Sequence, residues 1–305
     1  MNMTLWYNLQ TFGFIALWNP NKIVLVLIVA GLYLLLTGPF RKDIPGATEV
    51  PLGKKLTFMS GLLFYYVAEG SPFYLMSHII FTLHMAKMAV IYLIVPPLLL
   101  LGSPKWFYEY LLKPKFLRSA IRFFTRPLLA LLWFNGLFSI YHLPAVLDAL
   151  NADVNLNALY GIILFLAAIF MWWPILSPLG ETDQLSELRK IAYIVANGVL
   201  ITPACALITF ADSELYQSFT NPQAWAAMIG FCLPTGVTVD MTLVTAKFFR
   251  ILPPLQDQQL GGVVMKIMQE IIYGIFLGYV FYQWVKKERE KERLDLPSLP
   301  GKDKK

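Results

Sequence analysis

The stretch "IVLVLIVAGLYLLLTGPFRKD", Ile23–Asp43, decides what kind of molecule this chain is. An apolar run stops at Gly38 and Pro39 and gives way to Arg41 and Lys42. Spanning a bilayer as a helix takes about 20 mostly apolar residues, and the segment at roughly 20–39 supplies them. The cations that follow are the kind of flank that orients a membrane protein, because basic loops stay cytoplasmic.

The rest of the chain repeats the pattern. Of 305 residues, 57% are apolar and only 14% are charged, against about 25% charged in soluble domains. A soluble core cannot absorb that much apolar sequence, so the excess faces lipid. Spans are expected at roughly 56–75, 78–101, 128–147, 156–176, 191–210 and 262–285 as well. The N-terminal "MNMTLWYNLQTFGFIALWNPN" has no basic n-region, and no small-x-small cleavage site follows the first apolar run, so a cleaved signal peptide is not expected.

Loop charge sets the count. Residues 41–55, 103–127, 177–190 and the tail from Lys286 hold twenty of the 25 lysines and arginines. The connections at 70–77 and 148–155 hold none, and 211–224 holds Asp212 and Glu214 without a cation. Placing the basic regions in the cytoplasm leaves an odd number of crossings between 211–224 and the tail. The expectation is an all-α integral membrane protein with seven transmembrane helices, N-terminus outside and C-terminus cytoplasmic. Residues 1–285 form a single polytopic membrane domain and 286–305 a charged cytoplasmic tail. The segment at 225–245, broken by Pro234 and Gly236 and carrying Asp240, is then re-entrant or lies on the outer surface. Lys247 and Arg250 fall outside, which costs less than putting the whole basic tail there.

The net charge of +6 lies in loops between spans, so it argues for orientation and not for nucleic acid. Cys205 and Cys232 form no CxxC pair, and two cysteines make no disulfide framework. There is no GxSxG, HExxH or phosphate-binding glycine loop, so no enzyme chemistry is expected.

The unusual side chains cluster in depth. The third span enters from outside near His78, so His84 lies about 9 Å further in. His142, in "FSIYHLPAVLD", is near the outer end of the fourth span, and Met265 and Glu270 fall early in the last one. His84 and Met88 are four residues apart and stack on one helix face; His78 and Met85 are seven apart and share another. Lys87 needs a partner at that depth, with Glu69 and Glu270 both possible, and Lys266 is one turn from Glu270. Glu270 is expected to face the bundle interior. Pro96–Pro97 is read as bending or ending its helix. Methionine is a common gap-filler in any core. Yet histidine with methionine, cysteine being possible, makes a soft ligand set that suits Cu(I), while two histidines on neighbouring helices also suit axial haem ligation. Spacing does not separate the two, and a copper or small-solute transporter is a third reading.

Four stretches carry a resemblance: "HIIFTLHMAKMAVIYLIVPPLLLLGSP", "FSIYHLPAVLDAL", "NGVLITPACALITFADSELY" and "DQQLGGVVMKIMQEIIYGIFLGYVFYQW". Together, from about residue 78 to 285, the chain resembles the CtaG family, assembly factors of the caa-type haem-copper cytochrome c oxidase of Gram-positive bacteria. The resemblance implies a seven-span protein of the bacterial plasma membrane whose partners are cytochrome c oxidase subunits, membrane lipid and other copper chaperones. It implies copper delivery to the oxidase. By position it carries over His84, His142, Asp257, Gln258, Gln259, Gly261 and Gly262, followed by Met265. Many relatives have a second histidine where this chain has Met88, which keeps a soft ligand there.

Overall fold

The computed structural model describes residues 7, 9–176, 178–179, 185–232, 249 and 251–295. Among them there is no strand. The main helices are α1 (Pro20–Thr37), α2 (Leu52–Gly70), α3 (Phe81–Gly102), α4 (Pro127–Tyr141), α5 (Val154–Leu176), α6 (Glu187–Thr209) and α7 (Pro254–Asp295). Five helical stretches are long and apolar enough to cross a membrane: Gly13–Thr37, α3, α5, α6 and α7. The helix Lys115–Phe124 and α4 would make a sixth as one span bent by 71°. α2 has 19 residues but carries Lys54, Lys55 and Glu69. The chain is a multi-pass membrane protein.

Local chemistry explains where the helices depart from the expected bounds. The second span does not reach residue 75. α2 stops at Gly70, Ser71 caps the next turn by accepting from the Phe73 N–H at 3.2 Å, and Pro72 starts a separate helix, Pro72–Ser77. Proline at the first helical position needs no donor there. The third span therefore begins at Phe81 and not at 78, and His78 is the C-cap of the short helix. His78 and Met85 accordingly do not share a helix face.

The fourth span ends at Tyr141, and not near residue 147. Pro144 holds Leu143 in extended backbone (φ −67°, ψ 131°), and a second helix, Pro144–Ala152, starts there. His142 sits in the break. Pro96–Pro97 does not end α3. The helix runs through a π turn at Val90–Ile94 to Gly102. Pro96 has no N–H for the Tyr92 carbonyl, which instead accepts from the Trp172 indole of α5 at 3.1 Å.

The last helix was expected from 262 to 285 but runs 42 residues, so "DQQLGG" is helical and the helix continues unbroken past residue 286. Of the segment at 225–245, the part up to Cys232 belongs to a helix, Pro222–Cys232. Pro234, Gly236 and Asp240 lie outside the described residues, as do Lys247 and Arg250.

α3 is the central post: 67% of its span is buried, against 11% for Gly13–Thr37. α7 packs between α3 and α6. A Cβ on Gly261 would lie 2.7 Å from the Phe81 ring and 3.1 Å from Met85 Cγ; one on Gly262 would meet Thr209 Oγ1 and, at 3.0 Å, the Cys205 carbonyl. Adjacent residues on a helix point to different sides, so this glycine pair lets α7 approach both neighbours closely.

Candidate metal centre

The histidine of α3 and the histidine of the α4 break meet. The ring centroids of His84 and His142 are 6.2 Å apart, at 67°. Both side chains are buried, at 3% and 0% exposure. His142 Nδ1 lies 2.7 Å from the Phe138 carbonyl, so it carries the proton and donates. The lone pair is then on Nε2, which is buried without a partner among the described residues, as is Nε2 of His84. Buried polar atoms are nearly always hydrogen-bonded, so each orphan asks for an explanation.

The ring separation is compatible with one shared ion. With about 2.0 Å from metal to nitrogen, two imidazoles sharing an ion have centroids at most about 6.3 Å apart. The observed 6.2 Å lies within that limit. Among the described residues no three His, Cys, Asp or Glu side chains converge as a metal site. The pair therefore suits an ion content with two strong ligands. Tyr141 stacks parallel to His84 at 5.9 Å, and Phe81, Phe219 and Phe138 close around the two rings.

The frame around the pair is made by carboxylates that cap helices from a distance. Asp257 of α7 accepts from the N–H of Phe81 at 2.7 Å and of Thr82 at 3.1 Å, and from Thr82 Oγ1 at 2.6 Å. Those are free donors of the first turn of α3, one turn before His84. Gln258 accepts from the Leu215 N–H at 2.8 Å, and Gln259 donates to the Ala211 carbonyl at 3.1 Å, so the same element ties down the 211–216 loop. Asp148 caps the helix Gln217–Thr220, accepting from Gln217 N–H, Ser218 N–H and Ser218 Oγ. Between these anchors Tyr216 reaches inward. Its hydroxyl donates to the His142 carbonyl at 2.8 Å and its ring stacks on Phe81 at 4.8 Å. Burial first, and the Asp148 carboxylate second, push the Tyr216 phenol up, so it remains a donor.

The other sequence-expected residues scatter. Met88 and His78 line a separate cavity with Lys87; His78 Nδ1 is engaged by the Tyr74 carbonyl at 2.9 Å. Met85 packs at Gly261, and Met265 is buried on α7. Lys87 pairs with Glu69 at 3.7 Å and not with Glu270, and lies over the Tyr74 ring. Glu270 does not face the interior. It pairs with Lys266 at 2.7 Å on the outside of α7, its side chain 61% exposed. Lys266 also donates to the Gly198 carbonyl and Thr202, which turns it toward α6. Cys205 is buried in the α6–α7 contact.

Sequence reasoning missed Asp148, Tyr216, Phe219 and Tyr141. All but Phe219 lie inside stretches quoted for the resemblance, but nothing in the sequence says that Asp148 and Tyr216 reach a histidine or that the Tyr141 ring stacks on His84. No curated protein and no solved structure matches the chain. Residues 31–287 match the family described as cytochrome c oxidase caa3 assembly factor (Caa3_CtaG). With that match over most of its length, this multi-pass chain belongs to the cytochrome c oxidase caa3 assembly factor family.

Proposed function

We propose that the chain is a non-enzymatic assembly factor of the bacterial plasma membrane that takes up Cu(I) between His84 and His142 and passes it to an oxidase subunit. The observation that carries this reading is the pair of buried, unpartnered imidazole Nε2 atoms on rings 6.2 Å apart. Imidazole is a good ligand for copper, and thioethers select Cu(I). Met85 packs at Gly261 and Met88 lines a separate cavity, so the reading rests on the two imidazoles alone. A two-coordinate site binds its ion and leaves a side open for the next ligand. The aromatic rings packed around both imidazoles favour a single ion over a porphyrin, which needs a flat slot between its axial ligands.

The family supplies the oxidase as partner, and the distribution of basic residues supplies the direction. With Arg41, Lys42, Lys115 and Arg118 cytoplasmic, α2 joins the other helices as a crossing segment, giving seven, and the histidine pair lies toward the outer face. That is where copper bound for an oxidase from outside the cell would arrive.

The test is Cu(I) stoichiometry of the purified chain against a chromophoric chelator, for wild type, His84→Ala, His142→Ala and the double variant. Loss of the bound ion in each single variant, with unchanged helix content, is the expected result. A folded double variant that retains wild-type copper would overturn the proposal. His78→Ala serves as the control and should retain copper, because His78 lines a separate cavity that neither His84 nor His142 lines.

A further inference from the structure

A cavity of about 630 Å³ opens between α1, α2, α3 and α5, and neither His84 nor His142 lines it. Its two ends differ in chemistry. At the histidine end stand Lys22, Glu69, Lys87 and Asn157; toward the other end the walls are Val29, Leu62, Leu99 and Phe165. Lys87 and Leu99 are twelve residues apart on α3, so the cavity extends about 18 Å along the helix. Leu25, Ile162 and Leu166 line it and are 45%, 59% and 46% exposed, so one side is open. That side belongs to helices that cross the membrane, and it therefore opens to lipid.

Among the described residues, the polar end carries unbalanced charge. Glu69 stands between two ammonium groups, 3.7 Å from Lys22 and 3.7 Å from Lys87. One carboxylate offsets one of the two cations. Lys87 is 9% exposed, and a cation in such a place is costly unless a counter-charge meets it. The rings of Tyr65 and Tyr74 lie under Lys22 and Lys87 and help, but they bring no negative charge.

A cavity with an excess cation at one end and an apolar trough at the other, open sideways to lipid, matches an amphipathic anion. We propose that it binds one anionic phospholipid of the leaflet at the histidine end. The phosphate sits between Lys22 and Lys87, and one acyl chain runs down the α1–α5 trough. An apolar helix from a partner would fill the trough and leave the charge unmet. The proposal is independent of copper, and its test contains no metal.

The full chain is placed in phosphatidylcholine nanodiscs doped with a photoreactive-chain phosphatidylglycerol or, separately, the same chain on phosphatidylcholine. After irradiation the adducts are mapped by mass spectrometry. The glycerol lipid should label Val29, Ile162 and Phe165 in preference to other lipid-facing residues, and the choline lipid should not. Lys22→Gln should weaken this labelling about fivefold, the increment per lysine expected for anionic lipid. Adding Lys87→Gln should remove the preference, and inorganic phosphate should not compete. Gly161→Leu provides a route that leaves the charges alone. A Cβ at Gly161 meets only the Tyr92 hydroxyl, at 4.0 Å, and Gly161 lines the cavity, so the substitution places its bulk at the cavity wall. It should abolish the adducts while the thermal unfolding temperature holds. Equal labelling by both lipids, labelling indifferent to the lysines, or labelling that survives Gly161→Leu would each overturn the proposal.

Discussion

Asp257→Ala is the sharpest probe of how the histidine-bearing helix is held. Asp257 belongs to α7, yet it caps α3 across a separation of 176 residues in sequence. Its carboxylate collects three short contacts, from Phe81 N–H, Thr82 N–H and Thr82 Oγ1. A hydrogen bond to a charged group contributes about 1.5–3 kcal/mol, and three donors sharing one carboxylate do not add fully. We take about 3 kcal/mol as the cost of local opening, which corresponds to roughly 100-fold faster exchange of the amides it protects. Hydrogen exchange with mass-spectrometric readout over residues 79–86 measures this directly. Asp257→Asn retains one oxygen but turns an NH2 toward a donor, so an acceleration of about tenfold is expected. Peptides from α5 should exchange as in wild type. If Phe81 and Thr82 exchange at the wild-type rate in a folded Asp257→Ala protein, the cross-helix cap does not hold α3, and this account of how His84 is positioned fails.

Two further outcomes follow from the same packing. Glu69→Gln leaves two lysines, one of them buried, without their carboxylate, and should lower the unfolding temperature by about 5 °C for a loss near 2 kcal/mol; Glu270→Gln, on an exposed side chain, should leave it unchanged, and the reverse order would refute the assigned pairs. Gly262→Ala should reduce accumulation in the membrane more than Gly261→Ala, by about 1–3 kcal/mol of overpacking, because its Cβ meets a backbone carbonyl while that of Gly261 meets side chains that can shift; equal accumulation on quantitative blotting would count against the close α6–α7 approach.

The membrane architecture and its alternation of apolar span and basic loop were legible in the sequence. Both are sums of what each residue prefers, lipid or water, and need no knowledge of neighbours in space. The stretch Ile23–Asp43 says as much alone as it does in the fold. Helix breaks were legible in principle, since Ser71–Pro72 and Leu143–Pro144 carry their own punctuation, but the apolar run across each break hid them. His84 and His142 could be set at similar depth from the sequence, because depth follows from the count of residues from a span end.

What depth does not give is rotation and adjacency. Whether His84 meets His142, and whether Lys87 takes Glu69 or Glu270, depends on which helix face turns to which neighbour. In lipid the apolar faces are nearly equivalent, so periodicity does not choose among them. Close packing chooses: Gly261 and Gly262 fix the rotation of α7 between α3 and α6, which sends Glu270 outward and brings Asp257 onto the first turn of α3. Tyr216 and Asp148 come to the site because the 211–216 loop is tied to α7 by Gln258 and to the helix after His142 by Asp148. The sequence alone thus determined a membrane protein and set His84 and His142 at similar positions along their helices. Tertiary structure decided which two imidazoles lie side by side, because that depends on contacts between residues far apart in the chain.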